Sequence, residues 1–105
     1  MTDHSARAAI LTANASRYLQ QLCKHWSHNL AVEFTAEQGT VVFPKDIRGQ
    51  SFPAQGTVTL RATESELAVL IDASSPEQLE GLKGAIAKHL DRFAFREAPL
   101  SFDWR

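Results

Sequence analysis

Cysteine is nearly absent: Cys23 stands alone in 105 residues, so no intrachain disulfide can form, which fits a reducing compartment. No apolar run approaches the roughly 18 residues that a membrane span needs. The opening residues Met1-Thr2-Asp3-His4-Ser5 have neither the basic start nor the apolar stretch of a signal peptide. The expected location is the cytoplasm, with no membrane partner. The sequence also lacks a Walker loop, G-x-G-x-x-G, H-E-x-x-H, G-x-S-x-G and C-x-x-C. Catalysis and a bound cofactor find no foothold in these patterns, and the chain reads more readily as a non-enzyme than as an enzyme.

Acidic residues are missing from the first third. Between His4 and Val32 there is no Asp or Glu, while Arg7, Arg17, Lys24, His25 and His28 all fall there. The net charge of −1 nevertheless excludes broad electrostatic attraction to nucleic acid. What is present is ordinary for a globular protein: 44% apolar and 22% charged residues, in a chain long enough for one core and too short for two. One domain over residues 1–105 is expected.

The apolar pattern predicts the elements. Ser5 to Leu11 reads as a first strand. From Asn14, the recurrence of Ala15, Tyr18, Leu19, Leu22, Cys23 and Trp26 at helical spacing predicts one buried stripe, with Asn14 as N-cap. Val32 and Phe34 followed by Gln38-Gly39 and Thr40 to Phe43 read as a hairpin. Pro44 to Gly56 is too long for a hairpin loop, and Thr57 to Ala62 with Glu66 to Asp72 form a second hairpin around Thr63-Glu64-Ser65. Ser75-Pro76-Glu77-Gln78 signals a capped helix start, with Leu79, Leu82, Ile86, Leu90 and Phe93 lining its inner face. Leu100, Phe102 and Trp104 alternate as a final strand. The predicted fold is α+β, order β-α-β-β-β-β-α-β, a two-layer sandwich with both helices on one sheet face.

The segments SRYLQQLCKHWSHNLAVEF (Ser16 to Phe34) and KHLDRFAFREAPLSFDW (Lys88 to Trp104) resemble a bacterial family, domain of unknown function 2218. The resemblance spans nearly the whole chain, although Lys45 to Gln55 looks like an insertion relative to shorter members. It implies a small α+β fold like the TATA-binding-protein superfold. It also implies an association of some members with siderophore-interacting ferric reductases, and it supplies no catalytic residues.

Cys23, His25 and His28 invite a metal reading, since thiolate and imidazole are the usual zinc ligands. On a helix, however, Cys23 and His25 lie about 200° apart, so only His25 and His28 can share an ion. A third ligand would have to come from His4 or His89 by folding. The histidines also suit a helix C-terminus, and no metal is expected. His89 sits about 60° from the centre of the second apolar stripe, half buried, where it either packs and bonds to backbone or acts as a base with Glu33 or Asp103. Arg17, Gln21, Lys24 and His28 share one line on the first helix with His25 at its margin, a stripe suited to a small anionic ligand or simply to solvent. The ligand-binding candidates are therefore Arg17, Lys24, His25, His28 and His89.

The uncovered sheet face is expected to carry Glu33, Thr35, Thr57, Thr59, Arg61 and Asp103, without the stacked aromatics of nucleic-acid readers. Ala9, Leu11, Val42, Ala68 and Leu70 on the same face suit a protein partner or a homodimer. Gly81 and Gly84 fall on the outer side of the second helix, either because something approaches closely or as a plain weakness. Trp26 and Trp104 read as packing residues. The long loop, with Lys45, Arg48 and Phe52, reads either as a gate over a pocket or, more readily, as a tolerated surface insertion. Three functions follow from these features: a binding or accessory module linked to siderophore and iron handling, a self-associating protein, or a small enzyme centred on His89.

Overall fold

Strands that alternate apolar and polar residues need only one covered face, and that is the arrangement found. The computed structural model describes residues 4–47, 49–94 and 102–105. In chain order the elements are β1 (Ser5–Leu11), α1 (Ala15–Trp26), β2 (Ala31–Phe34), β3 (Gln38–Phe43), β4 (Asp46–Ile47), β5 (Gln50–Ser51), β6 (Gly56–Ala62), β7 (Glu66–Asp72) and α2 (Pro76–Phe93). Five of the strands form an antiparallel sheet in the order β1-β7-β6-β3-β2, and β4 and β5 pair separately.

The register places Val41, Val58, Leu60, Leu67, Val69, Ile71, Ala8 and Ile10 on one side, all buried. Helix α1 lies across β2, β3, β6 and β7, and α2 packs on α1 and β7. The six stripe residues of α1, Ala15, Tyr18, Leu19, Leu22, Cys23 and Trp26, are its buried residues. Leu82, Ile86 and Leu90 of α2 are buried too, with Leu79 and Phe93 packed against them. The α+β two-layer architecture and its element order thus follow the hydrophobic periodicity.

Close approach of α1 to the sheet depends on Gly39. A Cβ there would lie 2.6 Å from Cys23 Sγ and 3.2 Å from Phe34 Cβ. Gly39 therefore belongs inside β3 beneath the helix, and the turn forms before it rather than at Gln38-Gly39. Thr35 Oγ1 accepts from the backbone N–H of Glu37 and of Gln38, each at 3.2 Å, which closes that turn. Thr35 consequently belongs to the turn and not to the sheet face.

The helix starts differ in detail from the local signals. Asn14 occupies the N-cap of α1 but makes no side-chain capping bond, because φ −107° and ψ 24° are not the extended conformation a cap requires. Ser75 does cap α2, its Oγ accepting from Gln78 N–H at 3.1 Å. The Gln78 side chain bypasses Ser75, accepting instead from Ser74 N–H at 2.6 Å and donating to Ala54 O at 3.1 Å.

Pro44 to Gly56 contains the β4–β5 hairpin, with Gly49 at φ 79° in its turn. Arg48 lies outside the described residues. Of the expected last strand, Leu100 and Ser101 lie outside the described residues as well, and Phe102 to Arg105 form no strand. Arg105 nonetheless exchanges two backbone hydrogen bonds with Arg7, at 3.1 and 2.8 Å, on the outer edge of β1. Trp104 stacks on Phe102 and packs against the core, as a packing residue should.

Candidate functional site

The C-terminal end of α1 meets the middle of α2 beside the long loop, and the gap between them is a cleft of about 580 Å³. Its size falls within the range of small-molecule sites. Trp26 and Phe43 form one wall, edge to face with ring centres 5.0 Å apart. Phe52 and Asp46 come from the β4–β5 region, and Gly81, Ala85 and His89 from α2. The loop that supplies Phe52 is tied down: Ala54 O accepts from Ser74 Oγ at 2.9 Å as well as from Gln78.

His25 and His89 face each other across the two helices with ring centres 5.1 Å apart. His89 also lies 5.3 Å from the Trp26 ring, and His25 lies 5.8 Å from Phe93. His89 Nδ1 is 2.7 Å from Ala85 O. A carbonyl only accepts, so Nδ1 carries the proton and Nε2 holds the lone pair in the neutral ring. Loss of hydration lowers the His25 pKa below its ordinary value, and repulsion from His89, His28 and Arg92 lowers it further. The neutral ring of His25 is thereby favoured.

Of the candidate residues, the fold joins His25 and His89 and separates the rest. Arg17 and Lys24 point outward and exposed from α1, whereas His28, expected on the same helix, falls in the exposed turn after it, because α1 ends at Trp26 with Ser27 as C-cap. The helical pair His25 and His28 gives way to an interhelical pair. Cys23 takes no part, because it is buried under Gly39 and burial pushes its thiol up to about 11. Among the described residues no set of three or more His, Cys, Asp or Glu can hold an ion.

The pairing of His89 with Glu33 or Asp103 does not occur. Glu33 lies opposite Thr40 on the uncovered side of the sheet, and Asp103 is in a groove on that side. The carboxylate that shares the cleft with His89 is Asp46. A Cβ added at Gly81 or at Gly84 would meet nothing within 4 Å, so no close approach explains these glycines.

Sequence reasoning read Trp26 as packing and Gln78 as a cap, and both also line the cleft. The usable signal was the long loop with an aromatic, since such loops often border sites. On the uncovered sheet face, Leu11 is 81% and Leu70 41% exposed. Arg7, Arg61 and Arg105 border Ala9, Ala68 and Leu70 there. Among the described residues no helix is long and apolar enough to cross a membrane.

No curated protein matches the chain. It is similar to a solved structure, "NMR structure of PA4090 from Pseudomonas aeruginosa", at 25% identity and a TM-score of 0.76, covering 97% of this chain and 95% of that one. The two share a fold and nearly their whole length. With the family model for uncharacterized proteins conserved in bacteria (DUF2218) matching residues 7–105, the chain belongs to that family.

Proposed function

We propose that the protein is a non-enzymatic binding module whose cleft receives a small ligand with an aromatic part and an anionic or hydrogen-bonding part. The observation that carries this is the cleft itself: aromatic walls from Trp26 and Phe43 with the imidazoles of His25 and His89 at one side. Apolar lining with a few convergent polar groups is the usual make-up of a small-molecule site. The exposed Arg17 and Lys24 on α1, a helix with no acidic residue, and the exposed His28 in the turn after it favour anions. Ferric siderophores and their reductases, which the family resemblance implied, are the first ligand class to test.

Gly81 makes the test clean. It lines the cleft, yet a side chain added there meets nothing within 4 Å. Gly81→Leu should fold normally and occupy the cleft. Calorimetric titration of ferric catecholates and candidate reductases at low salt should show binding that this variant weakens at least tenfold. Binding unaffected by Gly81→Leu, or no binding of either class, removes the reading.

A second reading is self-association through the uncovered sheet face. Leu11 and Leu70 are exposed on it, and Arg7 and Arg61 share it with Glu33 and Glu66. A twofold pairing can set the basic groups of one copy against the acidic groups of the other. A monomeric mass by light scattering at high concentration ends that reading.

A further inference from the structure

We propose that His25 and His89 form a two-imidazole site for a borderline divalent cation, copper, nickel or zinc, with its remaining coordination positions open to the cleft. This goes beyond the small-ligand reading and stands on the histidine pair alone.

The separation of the rings fits a shared ion. A metal–nitrogen bond is about 2.05 Å, a ring centre lies about 1.1 Å beyond its nitrogen, and a tetrahedral angle then sets the two centres roughly 5.1 Å apart. The observed distance is 5.1 Å. Simple packing of rings among Trp26 and Phe93 also gives such distances, so spacing alone does not decide it.

Tautomer adds the second argument. Ligating histidines usually donate their other ring N–H to a carbonyl or carboxylate, which fixes the ring and leaves the metal-binding nitrogen unprotonated. His89 is already arranged this way, through Nδ1 and Ala85 O at 2.7 Å. The pair is also carried on two packed helices, so neither ring depends on a loop for its position.

Two protein ligands leave at least two positions for water or for donor atoms of a bound molecule. No third His, Cys, Asp or Glu completes a set among the described residues. Asp46, which lines the same cleft, contributes negative charge to it. Imidazole suits copper, nickel and zinc, and copper should bind most tightly of the three.

The experiment is titration of tag-free protein with copper(II), nickel(II) or zinc(II) chloride at pH 7.5. It is followed by calorimetry and by long-range proton–nitrogen NMR of the histidine rings. One equivalent should bind, shifting His25 and His89 together, and His25→Gln or His89→Gln should each weaken binding at least tenfold. His25 is exposed, so its variant stays folded even where His89→Gln disturbs packing. His28→Gln should leave affinity unchanged. No binding, unchanged affinity in His25→Gln, or a loss confined to His28→Gln overturns the proposal. Organic ligands that bind to a protein taking up none of the three metals would leave the small-ligand reading standing while removing this one.

Discussion

Replacing Gly39 by alanine probes the contact between α1 and the sheet, because the added methyl would sit 2.6 Å from Cys23 Sγ. Cys23 is fully buried with a short side chain, so it has little room to yield. Overpacking of this kind costs about 1–3 kcal/mol. Removing a flexible glycine from a strand returns roughly 0.5–1 kcal/mol. The net loss should be about 1–2 kcal/mol, which for a chain of this size lowers Tm by roughly 5–10 °C. Thermal and urea denaturation of Gly39→Ala, Cys23→Ala and the double variant will measure it. The double variant should be about as stable as Cys23→Ala alone, because the sulfur that clashes is gone. Gly84→Ala is the matched control: nothing lies within 4 Å there, so helix propensity alone should add up to about 1 kcal/mol. Equal stability of Gly39→Ala and the native protein, or additive losses in the double variant, would refute the reasoning.

Gln78→Ala should cost about 1–3 kcal/mol, since it strands Ser74 N–H and removes a bond to Ala54 O; faster hydrogen exchange around Ala54 and Ser74 checks it. Cys23 should resist thiol reagents at pH 8 until denaturant is added, because it is buried and its pKa is raised from 9.0 to about 11. Between those pH values the unfolded chain releases a proton that the folded chain keeps, so stability falls as pH rises, by about 2–3 kcal/mol in all. Cys23→Ala should lack that part of the decline; matching pH curves would contradict the assignment.

Periodic features were legible in the sequence because burial imposes a period on each element. Leu22 and Ile86 announced their helices, and Leu60 and Val69 their common sheet face. Features made by contact between elements were not. Gly39 reads as a turn residue until a helix is laid over it, and Gln78 as a capping side chain until the distant Ala54 arrives. His25 has an evident helical neighbour in His28, but its partner in space is His89, 64 positions away along the numbering. The cleft exists only where three such contacts coincide, at α1, α2 and the long loop.

The pair of backbone bonds between Arg7 and Arg105 bears on how the molecule could oligomerise. Arg7 lies within the outward rim of β1, where a strand from a neighbouring molecule would need an uninterrupted row of donors and acceptors. Occupying that position divides the row into short pieces, and the opposite rim, β2, is only four residues long. Growth of the sheet by lateral addition is thereby hindered at both borders, so copies that do meet should do so broadside.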